Sequence, residues 1–257
     1  MAAAVGGLVL AAMPAAAVIG GTQDTANRFS NTGLVHMNGH HWCSGALYRT
    51  DPSATSSVMF MTAAHCITLA PANASYEVTF DPAGDTNPSA SYIPVVAAYG
   101  FPAYMNPVKS NNSLQNGNGL PDVAVFVLAT APAGITPADL PSAGLVDQLD
   151  PKTAISIVGY GINDFLNANT SSIGARFYKT VNISPGQRTQ TSPIYLKTTA
   201  GGCSGDSGGP NFFGNTIIGD TSWGQSVVCG DNNYINRIDN TDELNFLANP
   251  AAFTGAN

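Results

Sequence analysis

Between its N-terminal stretch and its C-terminus the chain is a succession of short apolar and β-branched runs, each closed off by Gly, Pro, Asn or Asp. Examples are Gly33 to Met37, Ser57 to Thr62, Tyr76 to Phe80, Val123 to Leu128, Ala154 to Val158 and Thr216 to Ile218. Runs this short cannot supply the face of a long helix, and frequent turn residues break any 3.6-residue periodicity. The spacing is that of an all-β barrel or sandwich. The 27 glycines and 17 prolines among 257 residues are spread along the chain and supply the turns. One helix is predicted near the C-terminus, over about 241–248. There Asn240 and Glu243 form a capping arrangement, Leu244 and Leu247 share a face, and Asn249-Pro250 ends the element. Two Asn-, Ser- and Gly-rich stretches, Asn106 to Pro121 and Asn163 to Ser172, read as surface loops.

A chain of this length can bury a sizeable core as one domain or two joined halves. Only 10% of the residues are charged, and the net charge is −7. No basic patch exists to neutralise phosphates, which argues against a nucleic-acid partner. The first residues run from an apolar stretch, Val5 to Met13, through Pro14 to Ala15-Ala16-Ala17. That is the layout of a secretory signal with a small-residue cleavage site, although the usual positive n-region is missing. The apolar run is too short to span a bilayer, so no membrane association is expected once residues 1–17 are removed. Cys43, Cys66, Cys203 and Cys229 form an even set, consistent with two disulfides in an exported protein; spacing alone leaves three pairings open. None of them lies in a CxxC pair, so zinc is not implied. The Asn-x-Ser/Thr sequons at Asn73, Asn111, Asn169 and Asn182 carry no weight in so Asn-rich a chain.

Chemistry concentrates in three places. Gly205-Asp206-Ser207-Gly208-Gly209-Pro210 sets a serine among glycines that let backbone N–H groups converge on one point. Serine needs a base to become a nucleophile. Thr62-Ala63-Ala64-His65-Cys66 offers one, a histidine at the end of an apolar run, tethered by the following cysteine. Asp122 opens the run Val123 to Leu128 and would be partly buried, which requires a partner. Asp81, Asp85, Asp139, Asp147, Asp150 and Asp164 also lie between His65 and Ser207, but only Asp122 leads into a strand-like run. The order His, Asp, Ser differs from that of subtilisins and α/β-hydrolases.

With these residues in view the chain resembles the chymotrypsin/trypsin family of serine proteases. Six motifs stand in the family's order: Val18-Ile19-Gly20-Gly21, Cys43-Ser44-Gly45, Thr62 to Cys66, Asp122-Val123-Ala124, Gly205 to Pro210 and Ser222-Trp223-Gly224. The resemblance implies two antiparallel six-stranded β-barrels, at about 30–130 and 140–240 within a protease domain of 18–257, with the active site in the cleft between them. It implies Ser207 as nucleophile, His65 as base, Asp122 as the residue orienting His65, and the N–H groups of Gly205 and Ser207 as oxyanion hole. Val18, freed by cleavage, would pair with Asp206. Ser222, Trp223 and Gly224 would bind substrate as an added strand. Cys43–Cys66 and Cys203–Cys229 are the implied disulfides; the cysteines of a third family disulfide are missing here. The protein would be a secreted, extracellular or periplasmic monomer acting on proteins or peptides, without cofactor or metal.

The pocket-floor position of the family falls on Gly201, where trypsin-like specificity would need Asp. Gly224 and Asn232 take the other pocket positions, and Thr221 stands where glutamate-specific relatives carry His. An uncharged, apolar or aromatic residue before the scissile bond is expected, unless Asp231 enters the pocket. Two rival readings are a non-catalytic binding module on the same fold and a metal-dependent enzyme. The second would use adjacent His40 and His41 or the carboxylates Glu77, Asp81 and Asp85, which lack the EF-hand spacing. His36 has no role in either.

Overall fold

In the computed structural model the described residues are 18–50, 58–105, 120–161, 174–184, 194–224, 229 and 233–253. The loops expected around 106–119 and 163–172 lie outside them, as do residues 1–17. Thirteen strands form two sheets. The first is a closed barrel of six antiparallel strands: β2 (Thr32–Met37), β3 (His40–Arg49), β4 (Met59–Thr62), β7 (Ala124–Leu128), β6 (Ile93–Gly100) and β5 (Tyr76–Thr79), in that order around the wall. Its interior is filled by Val35, Leu47, Phe60, Val78, Phe126 and Leu128. Burial of each such side chain contributes about 1.5–3 kcal/mol.

The second sheet has seven strands rather than six. Its order is β1 (Thr22–Gln23), β9 (Phe177–Asn182), β8 (Ala154–Gly159), β11 (Pro210–Phe213), β12 (Thr216–Gly224), β13 (Asn233–Arg237) and β10 (Tyr195–Thr198). The ladder is open, but the sheet curls until its far ends meet. Ile183, just past β9, bridges Thr198 of β10, and Ser184 and Thr199 donate to Lys197 and Asn182 across the same seam. The extra strand is the two-residue β1, laid on the outside edge of β9, which brings the segment after Val18 onto this half. Ile155, Ile157, Val181, Leu196, Ile218 and Ile235 fill its core.

A third apolar cluster joins the halves. Tyr48, Met61 and Val125 from the first barrel meet Val158, Phe212 and Ile217 from the second sheet and Phe246 and Leu247 from the C-terminal helix, Thr241–Ala248. The helix caps differ from the expected box. Asn240 Nδ2 donates to Glu243 Oε1 at 3.3 Å, and the Asn240 side chain caps no backbone N–H. At the other end, orphan carbonyls are taken up by the first barrel: Tyr48 Oη donates to Leu247 O and Arg49 Nη1 to Ala248 O, both at 2.8 Å. The helix is thereby pinned across both halves.

Arg176 forms a second fastener. Its side chain is fully buried, and Nε donates to the equally buried Asp24 at 2.9 Å. Nη1 reaches the carbonyls of Thr32 and Phe80 and the Tyr160 hydroxyl, and Nη2 reaches Asn27 Oδ1. The guanidinium therefore ties the Asp24–Asn27 turn to Thr32, Phe80 and Tyr160. A buried ion pair is weak evidence of net stability, but losing one partner leaves the other uncompensated. Arg176→Ala is expected to destabilise the fold by about 3–5 kcal/mol, read as a lowered denaturation midpoint at unchanged slope.

Candidate active site

His65 opens a single helical turn, His65–Thr68, at the end of β4. Asp122 stands just before β7, which pairs with β4, so Thr62 lies opposite Ala124 and the two residues meet at the same end of the barrel. Asp122 Oδ1 accepts the backbone N–H of His65 at 2.8 Å, and Oδ2 lies 2.7 Å from His65 Nδ1. Ser222 Oγ donates to the same Oδ2 at 2.5 Å. Asp122 is 2% exposed, and these donors compensate its burial. Burial works against a charged His65 ring, but the charge and hydrogen bond of Asp122 outweigh it and raise His65 above the ordinary histidine value.

Ser207 belongs to the turn that leads into β11. Its carbonyl accepts the Ser44 N–H at 2.8 Å, and Cys66 Sγ lies 4.0 Å from the same oxygen. Cys66 follows His65 directly, so the serine's turn is packed against the histidine's. Gly208 (φ +78°) permits this approach, since a Cβ there would fall 2.2 Å from Thr62 Oγ1 and 2.6 Å from the Ala63 nitrogen. Gly205 (φ +93°) packs against His41 in the same way. Within the turn the N–H groups of Asp206, Gly208 and Gly209 donate to Cys203, Thr221 and Asp206 carbonyls. Among the described residues, no backbone carbonyl takes up the N–H groups of Gly205 and Ser207.

Val18 is fully buried, and its nitrogen lies 3.3 Å from Asp206 Oδ2. Asp206, itself fully buried, also accepts from Cys203 N and Gly161 N, each at 2.8 Å. Burial pushes its carboxyl up to about 6 against the pull of these N–H groups and of nearby His41. The disulfides are Cys43–Cys66 and Cys203–Cys229. The first joins β3 to the turn of His65; the second closes the loop beside the pocket.

A cavity of about 180 Å³ opens next to Ser207, walled by Gly202 to Ser204, Thr221 to Gly224, Cys229 and Asn233. Gly201 packs directly on Asn233, whose Cβ lies 2.3 Å from where a Cβ on Gly201 would be. The expected Asn232, like Asp231, lies outside the described residues; the pocket asparagine is its neighbour. Trp223 stacks on Tyr234 with ring centroids 3.7 Å apart.

Three residues that the sequence left without a role belong here. Ser44 is fully buried at the junction of the two halves. Its N–H goes to Ser207 O, its hydroxyl donates to Gly205 O at 2.8 Å and accepts from Tyr160 N at 2.9 Å, and its carbonyl accepts from Thr62 Oγ1. Asn236 accepts the Asp122 N–H at 3.0 Å and donates to Asp220 Oδ1 at 3.1 Å. Asp220 is a second fully buried carboxyl, pushed well above the ordinary range by burial and by the Asp122 charge.

A cluster of histidines and carboxylates lies on the first barrel and reaches the Ser207 turn through His41. Asp85 Oδ1 meets His36 Nε2 at 2.6 Å and Tyr92 Oη at 2.7 Å, and Oδ2 lies 3.4 Å from His41 Nδ1. Glu77 lies 3.3 Å from the other ring nitrogen of His36. Burial pushes Asp85 up, but hydrogen bonds from His41 and Tyr92 and the charge and hydrogen bond of His36 outweigh it and hold it at about 2. Among the described residues, the one group of ligand atoms close enough to share a metal ion is Cys43, His65 and Cys66, whose sulfurs are bound to each other. None of the described helices is long and apolar enough to cross a membrane.

The family model for trypsin matches residues 18–245. Trypsin alpha of Drosophila melanogaster is 25% identical over 230 residues, spanning 84% of this chain and 80% of its own. Solved structures of human heparin binding protein share the fold at TM-score 0.66 and 18% identity, covering 93% of this chain and all of theirs. The chain belongs to the trypsin family of serine proteases.

Proposed function

We propose that this chain is a secreted serine endopeptidase that cleaves proteins or peptides through an acyl-enzyme. The observation that carries the reading is the binding of His65 by Asp122 through both its backbone N–H and its ring Nδ1. With Nδ1 committed as donor, Nε2 is left as the lone-pair nitrogen, the tautomer a general base needs. Ser207 attacks the peptide carbonyl as His65 takes its proton. The imidazolium that forms is stabilised by Asp122 and then protonates the leaving amine. The uncommitted N–H groups of Gly205 and Ser207 are suited to the oxyanion of each tetrahedral intermediate. Water repeats the sequence on the acyl-enzyme and frees Ser207. Ser222 to Gly224, at the end of β12, provide the edge on which the substrate backbone would lie as an added strand.

Freeing of Val18 would complete the site. While Val18 remains in peptide linkage, Asp206 meets only N–H dipoles. A free α-amino group would supply a cation to the buried carboxylate and hold the Gly205–Ser207 turn. Ala15-Ala16-Ala17 abuts Val18, so one signal cleavage would both export and activate the enzyme. An uncharged residue before the scissile bond follows from Gly201, which cannot pair with Arg or Lys, and from the uncharged walls that the described residues give the pocket. The rival reading, a binding module that has lost catalysis, is disfavoured because a candidate for each member of the triad is retained.

Ser207→Ala is expected to lower kcat by roughly 10⁶-fold, and a serine-directed fluorophosphonate should label the unmodified protein and not this variant. Only neutral His65 can accept a proton, so activity should fall with acidity through a midpoint above about 6.5. Asp122→Asn removes the charge that raises His65; it should move that limb to lower pH and reduce kcat by about 10⁴-fold. N-terminal sequencing of the secreted protein should read Val18-Ile19-Gly20-Gly21; any other mature start would overturn activation by a single cleavage.

A further inference from the structure

We propose that the pocket beside Ser207 selects glutamine before the scissile bond and that Asn233 is the residue that reads it. The inference rests on Ser207 being the nucleophile. Asn233 begins β13, is 2% exposed, and occupies the space in front of Gly201, so the pocket ends on a carboxamide rather than on a charge or an apolar wall. Among the described residues its Nδ2 is buried without a hydrogen-bond partner. Buried N–H groups left unmade are costly, and a ligand oxygen reaching them is favoured by the same amount.

The surroundings decide which oxygen. Among the described residues, nothing lining the pocket carries charge, but three buried carboxyls stand directly behind it. Ser222 donates to Asp122, Cys203 donates through its backbone to Asp206, and Asp220 precedes Thr221. A glutamate side chain would bring a further negative charge close to Asp122, with no cation among the described lining residues to meet it. A lysine or arginine would meet the unpartnered Asn233 N–H group and, among the described residues, no carboxylate in the wall. A leucine or methionine would fill the space and leave the Asn233 N–H group unpaired. A carboxamide is neutral, accepts through its oxygen and donates through its nitrogen, so it can pair reciprocally with the Asn233 amide. Because Asn233 lies at the Gly201 end of the pocket, glutamine reaches it with one carbon more than asparagine.

The test uses the secreted, processed protein and peptides that differ only in the residue before the scissile bond: Gln, Asn, Met, Leu, Glu and Lys. Methionine matches glutamine in length but lacks the amide. For the unmodified enzyme, kcat/KM for Gln should exceed that for Met and for Glu by about 10- to 100-fold. Asn233→Ala should bring the Gln to Met ratio towards one. Asn233→Asp keeps the shape but replaces the amide by a carboxylate, and should move the preference from Gln to Lys. Cleavage after Met, Leu or Glu at least as fast as after Gln would overturn the proposal on the unmodified enzyme alone, whatever the folding of the variants. So would a Gln to Met ratio that survives both substitutions. If the fluorophosphonate labels Ser207 while another residue is preferred, only this inference fails. If nothing labels and nothing is cleaved, the protease reading fails with it.

Discussion

The site depends on a carboxylate that does no chemistry. Asp206 is fully buried, and three N–H groups from distant stretches converge on it: Val18 at the start of the described chain, Gly161 at the exit of β8, and Cys203 ahead of the nucleophile turn. Asp206 is flanked by Gly205 and Ser207, so fixing its side chain fixes the two peptide units whose N–H groups face outward. Desolvation is the cost, expressed in a carboxyl pushed to about 6. A carboxyl so poised at near-neutral pH is sensitive to whatever cation approaches it. That makes the state of the Val18 nitrogen the natural control point for the Ser207 turn.

Neither half of the molecule holds a whole site. The first barrel supplies His65 and Asp122; the second sheet supplies Ser207, Ser222 and the pocket. Their relative position must therefore be set to a fraction of an ångström across an interface that the chain crosses only a few times. Apolar contact alone does not give that precision. Ser44 does, because its N–H, hydroxyl and carbonyl bond to Ser207, Gly205, Tyr160 and Thr62 within one residue. The bond from Ser222 to Asp122 and that from the Asp122 N–H to Asn236 repeat the device on the far side of the triad.

What could be read from the sequence follows the same division. Runs bounded by turn residues became strands nearly where expected: β2, β7 and β8 coincide with their apolar stretches to within a residue or two. Strands whose residues alternate or carry polar groups were not legible. β3 starts on His40 and His41 and has Gly45 in its middle, and β6 shows its barrel only every second residue. The short motifs were legible because catalysis constrains residue type and order. Ser44 sat inside such a motif without a role, since three of its four partners lie more than a hundred positions away. Nothing in the sequence set Arg176 or Asp220 apart, and only the tertiary structure shows them enclosed. Asn233 was not singled out from the sequence, because the loop before β13 has no internal marker of register; the ladder Trp223 to Tyr234 and the cavity wall place it, whereas Asn232 lies outside the described residues.

The pair of buried carboxyls behind His65 shows how the fold decides where charge resides. Asp122 and Asp220 are close enough to repel, and Asn236 lies between them, accepting from the Asp122 N–H and donating to Asp220. Asp122 receives three donors on its carboxylate, whereas Asp220 receives the Asn236 amide on one oxygen and leaves the other buried without a partner. Hydrogen bonds to the ionised form favour it, and burial without them opposes it. The negative charge is thereby concentrated on the carboxyl that touches His65, and the second is driven up out of the carboxylate range. Asp220 then holds Asn236 in place from behind, away from His65. In the proposed mechanism an imidazolium at His65 would face one carboxylate, that of Asp122, placed at Nδ1.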